Sequence, residues 1–376
     1  MGQEQNQNFT GFYMELYIGL MSGTSADGIN AALVDFSTII PTVISTHYAP
    51  YSLALRQKIH GLSHPGDNEI QRLGELDIEL GLAFANAVNH LLEQQSLTAH
   101  AIRAIGSHGQ TIRHHPVLPH PFTLQIGDPN TIAAKTEITT IADFRRKDMS
   151  LGGQGAPLVP AFHQALFAAD NKPRVIANIG GMANITVLMN DTVIGFDTGP
   201  GNVLMDSWIL HHQQKSHDEN GAWARQGKLQ TDLLNQLLAD PYFKRTPPKS
   251  TGREYFNLAW TQAKLNATLS PVDVQTTLTE LTAQTIIDTI QSLISEGEIL
   301  ICGGGVHNDF LMQRLQKIAA PHFNVSSTMQ YGIDPDWVEA MAFAWLAKQT
   351  MQHKTGNLPS VTGAKKPAIL GGIYYP

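Results

Sequence analysis

Tyr17-Ile18-Gly19-Leu20-Met21 runs into Ser22-Gly23-Thr24-Ser25-Ala26-Asp27-Gly28, and Ala31-Ala32-Leu33-Val34-Asp35-Phe36 leaves it. An apolar run, a turn of small residues and a second apolar run read as a strand hairpin. The same order returns in the second half. There Val175-Ile176-Ala177-Asn178-Ile179 enters Gly180-Gly181-Met182-Ala183-Asn184, and Ile185-Thr186-Val187-Leu188 leaves. Turns of this composition let backbone N–H groups converge on an anion without a side chain in the way. Two such loops facing each other would hold a polyphosphate from both sides.

Outward from the hairpins, the pattern is mixed α/β. Ile70, Leu73, Leu80, Phe84, Val88 and Leu91 predict a helix from Glu69 to Gln95. Short apolar runs at Ile102–Gly106, Phe122–Ile126 and Ile138–Ala142 predict buried strands. A glycine- and proline-rich stretch from Gly152 to Pro160 precedes an Ala-rich helix over 161–169, and Asp170-Asn171-Lys172-Pro173 reads as a linker. In the second half a strand is expected over Val193–Asp197 and a helix over Val203–His212. Another helix is expected from Ser270 to Ile294, with Ser270 as N-cap, Pro271 at the first helical position and Asp273 as reciprocal carboxylate. Ile299-Leu300-Ile301 leads into Gly303-Gly304-Gly305, Asn308 caps a further helix, and a last helix is expected from Asp334-Pro335 with Val338, Met341 and Trp345 on one stripe. The expectation is two α/β domains, 1–170 and 171–376, facing across a cleft, with the final residues returning to the first domain. A doubly wound dinucleotide domain would need a helix directly after its glycine turn, and neither turn has one.

The 376 residues suffice for two domains, with 42% apolar and 15% charged residues as in a soluble globular protein. A net charge of −7 and the lack of a basic run argue against a nucleic-acid partner. The single cysteine, Cys302, excludes an internal disulfide and fits a reducing compartment. No stretch is apolar enough to span a bilayer and the polar N-terminal residues do not resemble a signal peptide, so a cytoplasmic protein without a membrane partner is expected.

Chemistry concentrates in a few segments, each with a structural alternative. Gly23, Thr24, Ser25, Ala26, Asp27 and Gly28 suit the β- and γ-phosphates of a nucleotide with Asp27 near a magnesium ion, or form an ordinary hairpin turn. Asp197-Thr198-Gly199-Pro200-Gly201-Asn202 offers a catalytic base at a strand end, or a helix-capping turn. Gly303, Gly304 and Gly305 suit a nucleobase and ribose lying on bare backbone, or a tight turn. The run Asp143–Asp148 is either a solvated charge cluster or the source of an Arg clamp on an anionic group. His108, in Ser107-His108-Gly109-Gln110-Thr111, is a core or turn histidine, or a substrate contact. Glu339, near a helix N-terminus, would on position alone merely favour the dipole. No His or Cys spacing resembles a zinc site.

Taken in order, these segments resemble the anhydro-N-acetylmuramic acid kinase family of the actin-like sugar-kinase superfamily. The set includes Gly19–Gly28, Ser107–Thr111, Asp143–Arg146 and Gly152–Pro160. It continues through Asn178–Asn184, Asp197–Asn202, Lys249–Glu254, Cys302–Gly305 and Asn357–Ala364. Asn30 stands where the family often has aspartate, and Lys147 where a third arginine is common.

The resemblance implies two actin-like (ribonuclease H-like) domains and an ATP- and Mg2+-dependent kinase. It opens 1,6-anhydro-N-acetylmuramic acid with water and phosphorylates O6 in cell-wall sugar recycling. O6 is tied up in an ether bridge, so the base must act on water. The resemblance assigns that role to Asp197, with Glu339 as a second acidic residue. Gly23 through Gly28, Ile29, Asn30, Gly180, Gly181, Gly199, Gly201, Asn202 and Gly303 through Gly305 would bind the nucleotide. Asp27 would serve the metal, and His108, Gln110 and Arg145 the sugar. A homodimer is implied too. Actin-like folds also serve as filament subunits and chaperone-like switches, the alternative class of function.

Overall fold

The structure, a computed structural model, describes residues 14–23, 25–169, 172–189, 192–247, 249–265 and 269–376. The polar tail, Thr24 of the first turn and Asp170-Asn171 of the expected linker lie outside the described residues.

The first half holds β1 (Leu16–Ser22), β2 (Gly28–Asp35), β3 (Thr42–Pro50), α1 (Leu53–Leu62), α2 (Glu69–Gln94), β4 (Ile102–His115), β5 (Phe122–Ile126), α3 (Pro129–Thr136), β6 (Thr140–Ala142), α4 (Phe144–Ser150) and α5 (Val159–Phe167). The second holds β7 (Arg174–Ile179), β8 (Met182–Met189), β9 (Thr192–Pro200), α6 (Val203–Gln213), α7 (Thr231–Leu238), α8 (Leu258–Gln262) and α9 (Pro271–Gln291). It continues through β10 (Gly297–Cys302), α10 (Asp309–Ala319), β11 (Phe323–Ser327), α11 (Val338–Met351), α12 (Pro359–Thr362) and β12 (Gly372–Tyr374).

Both sheets repeat one plan. In the first, β3-β2-β1 form an antiparallel meander, β4 joins β1 in parallel and β6 joins β4 in parallel. In the second, β9-β8-β7 form the meander, and β10 then β11 follow in parallel. This is the ribonuclease H-like order of actin-like domains, and the two glycine hairpins occupy the same place in each copy. The chain closes by sending β12 back to pair with β6, so its last strand lies in the first sheet.

The layers follow from which faces are apolar. The outer side of the first sheet is covered by α2, whose Leu76, Leu80, Phe84, Val88 and Leu91 are buried; Ile70, expected on that stripe, is instead exposed. The outer side of the second sheet is covered by α9, with Val274, Leu278, Leu281 and Ile286 buried. Between the sheets run α5 and α11, in a core that joins Tyr17 and Val34 of one sheet to Ile176 and Leu300 of the other.

One contact sets the position of α11. Gly19 of β1 and Gly106 of β4 are register partners. A Cβ on Gly19 would stand 1.8 Å from the Ala340 carbonyl oxygen, and one on Gly106 would stand 2.0 Å from that of Phe343. The helix backbone therefore rests directly on the sheet backbone, which no residue larger than glycine permits.

Several local expectations are corrected. The last helix begins at Val338, because Asp334 to Trp337 form a turn in which the Trp337 N–H donates to the Asp334 carbonyl. β4 does not end near Gly106; it continues to His115 because β5 pairs with its far end. Ser270 occupies the N-cap of α9 without a side-chain cap bond, and Asp273 accepts instead from the Lys228 N–H and the Gln230 amide. Tertiary partners outcompete the capping box there.

Gly19→Ala is expected to push α11 off the sheet and lose about 1–3 kcal/mol of stability, the usual cost of overpacking. Urea unfolding measures it, and a variant as stable as the parent would show that the helix can yield.

Candidate active site

The first glycine turn is held by side chains. Ser22 Oγ donates to the Gly28 carbonyl at 2.9 Å, lies 2.6 Å from Gln110 Oε1 and accepts from the Tyr51 hydroxyl at 3.1 Å. Gln110 Nε2 donates to the Gly23 carbonyl at 3.1 Å and the Thr111 carbonyl at 3.2 Å. Gln110 is thus buried with both ends of its amide engaged, bracing the turn. Ala26 takes a positive φ of 52° and is fully buried, as is Ile29, so both side chains belong to the core. Asn30 lies within β2 opposite Met21, and Gly28 sits tightly against Ala49 and Pro50. Asp27 is exposed and ion-paired at 2.8 Å with Arg56 of α1.

The second turn is held by backbone. The N–H groups of Gly201, Asn202 and Val203 donate to the carbonyls of Gly180 and Gly181 at 2.8–3.1 Å. The start of α6 is thereby seated on the hairpin, and a Cβ on Gly201 would stand 2.3 Å from the Gly180 carbonyl oxygen. Asn202 Nδ2 donates to the Ile179 carbonyl at 3.2 Å and would stand 3.9 Å from a Cβ on Gly304. Gly303, at φ +78°, is pinned by its N–H to the Pro335 carbonyl, and Gly305 packs against Ile179. Gly180–Gly181, Gly199–Asn202 and Gly303–Gly305 therefore meet at one place. Gly180 and Gly304 stay open on the side where a Cβ would point.

Asp197 lies near the end of β9, where Thr198 is an extra residue between the pairs Ala183–Gly199 and Asn184–Asp197. Such a bulge bends a strand and re-aims its side chains. Tyr242 and Thr251 hold this residue at its backbone and its carboxylate. Thr251 N–H donates to Asp197 Oδ2 at 3.0 Å, and the Tyr242 hydroxyl donates to the Asp197 carbonyl at 2.9 Å. Burial pushes the Asp197 carboxyl up to about 6, against the pull of the Thr251 N–H and the Lys249 ammonium.

In the first half, Arg145 of α4 donates through Nε at 3.1 Å and Nη2 at 2.8 Å to His108 Nε2, and through Nη1 at 2.9 Å to the Gly155 carbonyl. Burial lowers the Arg145 guanidinium to about 10, opposed by the charges of Glu339 and Asp148. Glu339 is in turn pushed upward by burial and pulled back by Arg145. The first turn of α11 thus brings Glu339 close enough for its charge to couple to that of Arg145, whose helix belongs to the first half.

Three features have no role assigned to them from the sequence. Asp206, in the first turn of α6, has a carboxyl raised to about 7 by burial; Arg253 opposes the shift, while the charges of Asp27 and Asp218 reinforce it. That coupling puts the first glycine turn and α6 across from each other. The segment 249–253 wraps Asp197 and places the Arg253 guanidinium beside Gly181. Asp148 is fully buried: Oδ1 accepts from Asn357 Nδ2 and Thr362 Oγ1, and Oδ2 from the Gly155 N–H. It ties the glycine-rich loop beside Arg145 to the returning C-terminal segment. In sequence Asp148 was one charge among five, and only the Asn357–Ala364 motif hinted at its partner. Among the described residues no group of three or more His, Cys, Asp or Glu could hold a metal ion, and no helix is long and apolar enough to cross a membrane.

Residues 15–376 match the family model for anhydro-N-acetylmuramic acid kinase. Proteins named anhydro-N-acetylmuramic acid kinase from Coxiella burnetii (strain RSA 493 / Nine Mile phase I) and Pasteurella multocida (strain Pm70) are each 54% identical to the chain. The first similarity spans 96% of this chain and 98% of the relative, the second 95% and 96%. Another so named, from Saccharophagus degradans (strain 2-40 / ATCC 43961 / DSM 17024), is 54% identical over 96% of this chain and 99% of its own length. A ROK family glucokinase from Streptomyces griseus, solved with glucose and AMPPNP, is 13% identical with a TM-score of 0.41, over 89% of this chain and 99% of its own.

The glycines sort into testable kinds. Gly304→Ala is expected to keep the melting temperature within about 2 °C, like most changes that meet no close neighbour. Gly303→Ala, with a positive φ and Asn178 Oδ1 2.3 Å from its added Cβ, is expected to lower it several-fold more. Equal melting temperatures for the two would contradict the packing described.

Proposed function

The chain belongs to the anhydro-N-acetylmuramic acid kinase family, and on that premise we propose that it uses ATP and water to convert 1,6-anhydro-N-acetylmuramic acid to the 6-phosphate, with Asp197 as the base. The observation that carries the base assignment is the Asp197 carboxyl itself. Burial sets it at about 6, one oxygen is fixed by Thr251 N–H, and Oδ1 has no hydrogen-bond partner among the described residues. A base poised just below neutral pH is ionised when needed yet still takes a proton readily.

A water oxygen bonds to the anomeric carbon while the C1–O6 bond breaks, and the water's proton passes to Asp197. O6 takes the γ-phosphoryl group, and the β–γ bridging oxygen leaves with ADP. Positioning and charge neutralisation supply most of the phosphoryl-transfer catalysis. In this reading the open backbone at Gly23 and Gly180 lies along the phosphates, and Gly304 lies under the adenosine. Glu339 and Arg145 lie beside the sugar. Gln110 acts indirectly, by shaping the first turn.

Magnesium is part of the proposal. Asp27 and Asp206 are like charges on opposite sides of the cleft, and a divalent cation with its waters would relieve their repulsion. Magnesium keeps most of its waters and needs only one or two carboxylates beside the phosphates. When bound it supplies charge neutralisation on the phosphate oxygens. The lobes 1–170 and 171–376, with the C-terminal segment returning to the first, and a cytoplasmic homodimer belong to the same reading.

Asp197→Asn is expected to lower turnover at least ~100-fold while titration calorimetry with a non-hydrolysable nucleotide shows affinity within a few-fold of the parent. Near-normal turnover would sink the base assignment. The pH profile follows from sign. The carboxylate must be ionised, so kcat/KM should fall below about pH 6. Because the folded pKa is raised, the ionised group opposes folding above the ordinary carboxylate range. Asp197→Asn should therefore melt no lower than the parent at pH 7.5. ADP release that did not depend on the sugar would point to the switch or filament class instead.

Arg56 competes with any cation for Asp27. An exposed pair of this kind contributes about 1 kcal/mol or less, so Arg56→Ala should lower the Mg2+ needed for half-maximal turnover by up to ~5-fold. An increased requirement in a magnesium titration would show that Arg56 serves the phosphates rather than blocking Asp27.

A further inference from the structure

His108 has no free ring nitrogen. Nε2 lies 3.1 Å from Arg145 Nε and 2.8 Å from Nη2. Arginine only donates, so Nε2 must be the unprotonated acceptor of both. Nδ1 then carries the proton and donates it to the Gly109 carbonyl at 2.8 Å. The ring is buried and leans on Phe343 of α11 with centroids 4.8 Å apart. Phe343 is held in place because its own carbonyl closes over Gly106. Every degree of freedom of the imidazole is used inside the protein, which leaves nothing for a direct substrate contact.

The same bonds define what Arg145 can offer. His108 occupies the guanidinium edge formed by Nε and Nη2, and Gly155 takes one Nη1 proton. One proton on Nη1 and one on Nη2 have no acceptor among the hydrogen bonds of the described residues. They lie in a plane that cannot rotate without breaking the His108 bonds.

We propose that His108 is the positioning residue for Arg145: a neutral imidazole in one tautomer that holds the guanidinium plane and commits its two remaining N–H groups to an anionic group of the sugar substrate. This rests on the reading of Arg145 as a substrate-side residue. It makes His108 a determinant of sugar affinity that never touches the sugar, and it explains why a histidine serves where a carboxylate would not. A carboxylate bonded to Nε and Nη2 would add to the negative charge that Glu339 and Asp148 already bring to Arg145 and weaken its hold on an anionic ligand. Burial, with the adjacent guanidinium, depresses the His108 imidazole to about 3, so it stays neutral throughout the working pH range.

The test is a double-mutant cycle with a spectroscopic arm. His108→Leu removes the acceptor while keeping bulk against Phe343; it should raise KM for the anhydro sugar about tenfold or more, the usual consequence of stranding buried donors, and leave KM for ATP unchanged. His108→Gln, which places an amide oxygen near the Nε2 position, should restore KM to within a few-fold. On an Arg145→Ala background, His108→Leu should add almost nothing. Equal impairment by Leu and Gln, or a full additional loss on that background, would overturn the proposal, because His108 would then act on its own. Thermal unfolding of both His108 variants separates these outcomes from misfolding. In the parent enzyme, 15N histidine spectra should show a Nδ1–H tautomer that does not titrate between pH 5.5 and 8. A Nε2-protonated or titrating ring would overturn the proposal whatever the kinetics. Unimpaired sugar turnover by Arg145→Ala would overturn it together with the reading of Arg145, yet would leave the base assignment to the Asp197 variant.

Discussion

The backbone-on-backbone contact between α11 and the Gly19–Gly106 pair is the constraint from which the site is built. Close packing of a helix onto a sheet normally interposes side chains, and here two register partners supply none. The helix consequently sinks until its carbonyls meet the strands. Three things follow from that depth. Glu339 is carried toward Arg145, Phe343 is set against the His108 ring, and the N–H of Gly303, at the end of a strand in the other sheet, reaches the turn preceding α11. One helix from the second half of the chain thereby becomes the shared wall of both sheets.

The charges around that wall are held at a cost to stability. Asp197, Asp206 and Glu339 all have carboxyls raised chiefly by burial, each opposed by a nearby cation: Lys249, Arg253 and Arg145 respectively. Asp148 and Asp240 are instead tied into the fold by several hydrogen bonds each. Asp148 is buried more deeply, yet three donors satisfy it, and Asp240 is held low by the Tyr242 N–H, the Tyr255 hydroxyl and the Trp260 indole. The contrast separates carboxylates that organise the fold from carboxylates kept under-solvated, which is the arrangement expected where protons or cations are to be handled.

Much of the architecture was legible because it depends on local pattern. The hairpins, the buried strands, α2, α6 and α10 follow from apolar periodicity and glycine placement, and Asn308 does cap its helix through Oδ1 to the Leu311 N–H. What periodicity could not supply was partnership. β11 is brief and half polar, and β12 is three residues long; both become strands only beside β10 and β6. Gln110 and His108 look like candidate ligand contacts in sequence, since polar residues at a strand end invite that reading. The structure shows both with their polar atoms engaged inside the protein. Asp206 sits in an unremarked helix turn, and its character comes from burial and from Asp27, distant in sequence.

The duplicated hairpin is thus two different devices on one topology. The first turn is shaped by a side-chain network, Ser22–Gln110–Tyr51, that spans β1, β4 and the end of β3. The second is shaped by main-chain bonds from the start of α6, so whatever moves that helix moves the turn and the bulged strand end bearing Asp197 together. A side-chain brace fixes one loop to the core of its own sheet. A main-chain seat fixes the other to the element that carries Asp206. The hairpin is repeated in topology, but one copy is held by side chains and the other by main-chain bonds to the element that carries Asp206.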